Sequence, residues 1–306
     1  MKDYILRATA GNDSVRIFAA NTQDLVDQAA KLHKSTPVAS VTLGRMLTAA
    51  AMMGATLKNE SDIITLDIRG SGPLGGVVVV SDSKSRVKGY TFNPQVELIG
   101  TSIQLMKKPN GKLDVSGALG LGVLTVTQDM GLKEPVSGQV ELISGEIAED
   151  IAYYFTVSEQ TPSSVLLGVL VDRNHSIRQA GGLIIQRLPN ASDDFLTQLE
   201  SKLETLPPLT TLLDEGHSIE DILNIIFAES ELVVHEKIEP EFYCNCSREK
   251  SLKALASVGF KDLRAMIEED KGANLHCHFC NADYPFSEDD LTEILRTRVS
   301  RILPLG

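Results

Sequence analysis

Gly70-Ser71-Gly72-Pro73-Leu74-Gly75-Gly76-Val77-Val78-Val79-Val80 decides what kind of fold this chain can adopt. Its first six residues match Gly-x-Gly-x-x-Gly, and the β-branched run 63–69 before it reads as a strand. A dinucleotide site needs a helix to start here, so that backbone N–H groups point at a pyrophosphate. Pro73 and the four valines dictate another strand instead. These glycines therefore read as turn and bulge residues, and Gly117, Gly120 and Gly122 likewise. Strand, turn, strand signals a hairpin or meander rather than a βαβ unit.

The same pattern extends in both directions. Strand-like runs at 4–8 and 15–20 flank Gly11-Asn12-Asp13-Ser14, which has hairpin turn chemistry. Residues 22–33 form an amphipathic helix with Thr22 as its N-cap. Residues 37–57 are rich in Ala, Met and Leu and almost uncharged, which predicts a helix buried on most faces. Further strands are expected at 76–81, 87–92, 122–127, 138–143, 165–171 and 182–188, with a helix at 146–157. Residues 1–189 thus read as an α+β N-terminal domain.

The 306 residues carry a net charge of −12, unevenly spread. Residues 1–189 hold 18 Lys+Arg and 18 Asp+Glu, residues 190–240 hold 2 and 12, and residues 241–306 hold 9 and 11. In the acidic middle region Ser192 caps a helix with Asp193 and Asp194 in its first turn. Phe195, Leu196, Leu199, Leu203 and Leu206 share one face, and Pro207-Pro208 ends it. A second helix at 209–213 runs to a C-terminal glycine, Gly216, and Ser218 opens a third at 219–228 with Asp221 in an imperfect capping box. Residues 190–240 are therefore a helical linker region whose apolar faces pack on their neighbours.

Such an acidic chain is unsuited as a whole to nucleic-acid phosphates. No apolar run approaches the roughly 18 residues that span a bilayer. The opening residues lack the apolar core of a secretory signal, so a cytoplasmic location and no membrane partner are expected. Glu146, Glu149 and Asp150 fall at i, i+3 and i+4 and could face a cation, but acids are favoured in a first helical turn anyway, so a structural role is expected. His33, His175, His217 and His235 stand alone. Nothing in 1–240 composes an active site.

All four cysteines lie in the last region. Phe242-Tyr243-Cys244-Asn245-Cys246-Ser247-Arg248-Glu249-Lys250 is followed, with 30 residues intervening after Cys246, by Cys277 in His276-Cys277-His278-Phe279-Cys280. Two close pairs separated by a medium spacer suit a four-ligand zinc site, with Cys244, Cys246, Cys277 and Cys280 as ligands and a helix over 247–269 bringing the pairs together. His276 or His278 could replace one sulfur. A domain of about 50 residues has little core, so the metal would contribute folding free energy. Metal-bound thiolates are also what oxidants attack, and losing the metal would remove that free energy.

These motifs resemble the heat-shock protein 33 family, redox-regulated holdase chaperones of bacteria. Besides the cysteine motifs with Tyr284 and Phe286, the resemblance runs through Leu43-Gly44-Arg45-Met46-Leu47-Thr48, Gly72-Pro73-Leu74-Gly75, Gly145-Glu146-Ile147-Ala148, Glu159-Gln160-Thr161-Pro162-Ser163 and Ala180-Gly181-Gly182. It implies an α/β core at 1–189, a metastable linker at 190–240 and a C-terminal zinc-binding redox switch at 241–306. It further implies one zinc per reduced, inactive chain. Oxidation would form Cys244–Cys246 and Cys277–Cys280 disulfides, release zinc and unfold the linker. The protein, often a homodimer, would then bind unfolding clients without ATP and without enzymatic activity. Two other classes stay in view: a zinc-ribbon RNA binder, disfavoured by the acidic C-terminal region, and a thiol oxidoreductase, which would need an exposed low-pKa cysteine.

Overall fold

The structure is a computed structural model that describes residues 2–100 and 102–302. It divides into two compact units, one running to Tyr243 and the other from Cys244.

The first unit is built on two largely antiparallel sheets, hairpins joined by longer connections. Its opening elements are β1 (Tyr4–Ala10), β2 (Val15–Asn21), α1 (Gln23–His33) and α2 (Pro37–Gly54). Then come β3 (Ile63–Gly70), β4 (Gly76–Asp82), β5 (Arg86–Thr91), the short β6 (Leu98–Ile99) and β7 (Ser102–Ile103), α3 (Val115–Leu119), β8 (Gly122–Asp129) and β9 (Val136–Glu141). After α4 (Ala148–Val157) follow β10 (Ser163–Val171), β11 (Ile177–Arg187), α5 (Asp193–Thr205), α6 (Leu209–Asp214), α7 (Ile219–Ile226), β12 (Leu232–Ile238) and β13 (Glu241–Phe242). One sheet has the order β10-β11-β2-β1-β12, the other β13-β5-β4-β3-β8-β9. All pairings are antiparallel except the short β13–β5 contact.

The opening glycine stretch is a turn between β3 and β4, as its sequence predicts. Gly70 N–H donates to the Gly75 carbonyl, and Gly75 has φ +76°. A Cβ on Gly72 would lie 2.4 Å from the Ala118 carbonyl oxygen, so only glycine lets this turn approach the end of α3 so closely. The apolar helix α2 lies between the sheets, in contact with β4 and β5 on one side and β10 and β11 on the other, and only its Arg45 is not buried. That double burial is why its sequence has no polar face.

Two expectations in this unit need correction. Thr22 does occupy the N-cap position of α1, but its side chain makes no capping hydrogen bond: its hydroxyl lies 2.7 Å from that of Thr48 instead. Asp3 takes the role from a distance, accepting from the N–H groups of Asp24 and Leu25 at 3.0 and 2.7 Å. Glu146 lies before α4 rather than in it. Its carboxylate meets Arg45 at 2.9 Å and Lys108 at 2.5 Å, while Asp150 accepts from the backbone N–H groups of Ile143, Ser144 and Ile147 at 2.8–3.0 Å. Glu146 and Asp150 thus serve separate structural tasks.

The linker helices pack on the face of the first sheet that α2 does not cover. Leu199, Leu212, Leu223 and Ile226 meet Leu6, Ile17, Leu183 and Ile185 there. Ser192 caps α5 by accepting from Phe195 N–H at 3.3 Å, and Ser218 and Asp221 form a reciprocal capping box on α7. Tyr4 on β1 hydrogen-bonds Glu220 of α7, and Lys237 lies 3.7 Å from the centre of the Tyr4 ring. Beyond the helices, β12 pairs with β1 and gives the sheet its outer strand, an element with no counterpart in the sequence reading.

The second unit holds α8 (Arg248–Leu255), α9 (Phe260–Glu268), the hairpin β14 (Gly272–Cys277) and β15 (Ala282–Ser287), and α10 (Glu288–Ile302). The single helix expected over 247–269 is two, because the chain leaves helical geometry at Gly259, whose ψ is 148°. The buried core is Leu255, Leu263, Phe286, Leu291 and Ile294.

Candidate metal centre

Two turns present the sulfurs. Cys244 and Cys246 sit between Phe242 and α8, whose first turn is capped by Ser247. Cys277 ends β14, and Cys280 lies in the turn to β15, where the N–H groups of Cys280 and Asn281 both donate to the Cys277 carbonyl, at 3.2 and 2.7 Å. Asn281 takes the left-handed φ of 53° that closes this knuckle.

The four Sγ atoms lie within 4.8 Å of one another, and all four residues are partly buried. Cys244 approaches Cys277 at 3.7 Å and Cys246 approaches Cys280 at 3.2 Å. A tetrahedral thiolate shell with bonds of about 2.3 Å needs neighbouring sulfurs about 3.8 Å apart. The geometry and the soft donor set therefore fit a metal ion such as zinc. Among the described residues the group holds no histidine. His276 Nδ1 is 2.9 Å from Asp283 Oδ1, and the His276 and His278 rings stack edge to face at 5.3 Å.

Crowding four thiols splits their acidities. Burial pushes Cys246 up, but the Tyr284 hydroxyl, donating at 3.1 Å, and the neighbouring thiols outweigh it and bring it down to about 7. Burial and the thiol of Cys246 push Cys280 far up, and burial raises Cys244. The bond to Cys246 pushes Tyr284 up to about 12. A bound divalent cation removes this conflict, since it favours the thiolate at every sulfur.

The sequence reading located the four cysteines but gave Tyr284 no role. A tyrosine four residues past the last cysteine was the available signal, because a donor to a ligand sulfur fixes its orientation. Arg248 was missed too. It reaches the Pro285 carbonyl and the Asp290 carboxylate (2.8 Å) and lies 4.3 Å from the Phe286 ring centre, tying the first knuckle to β15 and α10.

With this geometry in view, the similarity to known proteins is decisive. The family model described as Hsp33 protein matches residues 3–287. The chain belongs to the Hsp33 family. The 33 kDa chaperonin of Clostridium perfringens strain ATCC 13124 is 48% identical over 303 residues, covering 99% of this chain and 93% of that protein. That of Clostridium botulinum strain Eklund 17B is 49% identical, covering 98% and 100%. The crystal structure of the 33 kDa chaperonin, a heat shock protein 33 homologue, from Thermotoga maritima superposes with a TM-score of 0.88 at 37% identity, over 98% of this chain and 100% of that one. Hsp33 proteins are chaperones rather than enzymes, and the mixed α/β fold expected from the sequence is the one this family has. Among the described residues no helix is long and apolar enough to cross a membrane.

Proposed function

We propose that this chain is a redox-regulated, ATP-independent holdase of the cytoplasm. When reduced, Cys244, Cys246, Cys277 and Cys280 would hold one zinc ion. Zinc, when bound, supplies folding free energy and no redox chemistry of its own. The observation that carries the reading is the convergence of four sulfurs within 4.8 Å in a unit with five fully buried core side chains. Few residues besides the thiolates would hold that unit together.

A peroxide would convert the thiolates to two disulfides, Cys244–Cys246 and Cys277–Cys280, the pairing that the family resemblance implies. For each disulfide, a pair of thiolates gives up two electrons to one peroxide as the S–S bond forms; the peroxide's O–O bond breaks and it leaves as two waters after taking two protons. With the donors consumed, the second unit loses its support. Helices α5–α7 are short and docked by one face, so they are the next part of the chain to loosen. Their apolar faces would then bind unfolding client proteins, with the oxidised protein as a homodimer, and their acidic residues would keep the exposed surface soluble.

The test compares reduced, zinc-loaded protein with peroxide-treated, zinc-free protein in light-scattering suppression of an aggregating client. Suppression by the oxidised form alone is expected. Equal suppression by both forms would remove redox control from the reading.

A further inference from the structure

In the first sheet, β10 is an edge strand: its described pairing is with β11 on one side. Natural proteins blunt such edges with charges, prolines or a covering element. Here the edge is Ser163-Ser164-Val165-Leu166-Leu167-Gly168-Val169-Leu170-Val171, with no charge and no proline, and every residue but Val165 is partly exposed. The strand forms the floor of an open groove of about 970 Å³. Leu105, Leu113, Pro208 and Thr210 line it as well.

The groove also has a sign. Arg45, Lys107, Lys108, Lys112 and Arg173 line it against Glu146, Glu149 and Asp172, a cationic excess on a chain of net charge −12. Glu146 occupies both Arg45 and Lys108. Lys107, Lys112 and Arg173 form no ion pair among the described residues. An unpaired strand edge calls for an extended segment, which it would hold through backbone hydrogen bonds. The uncommitted cations select one with acidic residues. A second copy of this chain pairing β10 to β10 about a two-fold axis would set the same cations against each other.

We propose that the free edge of β10 is a strand-addition site for an extended, apolar segment carrying acidic residues, supplied by an unfolded polypeptide, and that it is open before α5–α7 are released. The identity of the partner rests on the chaperone reading; the site itself does not.

The probe is a labelled octapeptide of alternating valine and glutamate, its valine–lysine counterpart, and two versions of the first that are N-methylated at odd or at even residues. Binding to the full-length, reduced, zinc-loaded protein is followed by fluorescence anisotropy. The acidic peptide should bind at least tenfold tighter than the basic one. One N-methylated version should lose at least tenfold, and the exposed triple variant K107E/K112E/R173E should lose at least tenfold. No preference between the peptides, no effect of either methylation, or unchanged binding by the variant would overturn the proposal. So would a reduced-state dimer that the triple variant dissociates, because the occupant would then be a second copy. Aggregation suppression by oxidised protein is measured alongside. Suppression without selective peptide binding sinks the groove and leaves the chaperone reading standing. Selective binding without suppression does the reverse.

Discussion

Helix α2 and the pair α8–α9 show two ways for a helix to persist. In α2 every residue but Arg45 is buried between two sheets, so the helix is held by apolar contact in all directions. Helices α8 and α9 each contribute one buried residue, Leu255 and Leu263, with Met266 and Ile267 of α9 only partly covered, and most of their other residues are exposed. The first arrangement needs nothing beyond the chain. The second depends on whatever holds Cys244, Cys246, Cys277 and Cys280 together, because a core this small does not stabilise a fold of its size unaided. On the proposed function, one protein would combine a part that resists chemical change with a part that responds to it.

The contrast is sharpest on metal removal. A structural thiolate site contributes on the order of 10–16 kcal/mol. Chelation under reducing conditions, or Cys246→Ser, should therefore raise amide exchange across 248–294 by at least about three orders of magnitude, while β3, β4 and α2 stay protected. If exchange in α2 rose in step, the two units would not be independent. The linker helices fall in between. Leu223 is fully buried against the first sheet, and Leu223→Ala should cost about 2–5 kcal/mol of docking. Exchange should then rise through 193–226, with partial chaperone activity in the reduced protein. An unchanged exchange pattern would mean that this face does not hold the linker.

Asp3 offers a smaller test inside the durable unit. Burial pushes its carboxyl up to about 6, despite the two N–H groups it accepts from. The folded protein therefore holds this proton more tightly than the unfolded chain does, and stability attributable to Asp3 is greatest below about pH 4 and declines as pH rises to about 6. The difference is on the order of 3 kcal/mol. Asp3→Asn should flatten this component in urea titrations at pH 4–7, and the same pH slope in both proteins would refute it. Smallest is Ser218→Ala, which removes one arm of the α7 capping box and should cost about 1 kcal/mol, read as a modest rise in exchange confined to 219–226.

The same contrast explains what could be read in advance. The burial of α2 was legible because its composition leaves no polar face. The linker helices were legible because each carries its own punctuation: Ser192, Pro207-Pro208, Gly216, Ser218. The cysteines were legible by spacing alone. Strand β12 was not, because an edge strand with Val233 and Val234 nearly half exposed lacks the alternation that marks a buried face. The capping of α1 by Asp3 was hidden because the two segments meet only in the folded chain. The break at Gly259 was passed over because a lone glycine is a weak stop signal.

The pairing of Ile5 with Ile238 has a consequence for biosynthesis. Strand β1 leaves the ribosome well before its outer neighbour, which lies about 220 residues further along the chain. At about 5–20 residues per second, the nascent sheet waits roughly 10–50 s for β12. The sheet face that α5–α7 will cover, completed by Leu183 and Ile185 of β11, stays open to water for roughly 2–8 s at the same rate, until Ile226 has followed Arg187. Any polypeptide truncated before Leu232 would keep that edge and, if it also lacked the helices, that face. Translation of this chaperone thus yields, for seconds per molecule, a species with the traits of the proteins it protects.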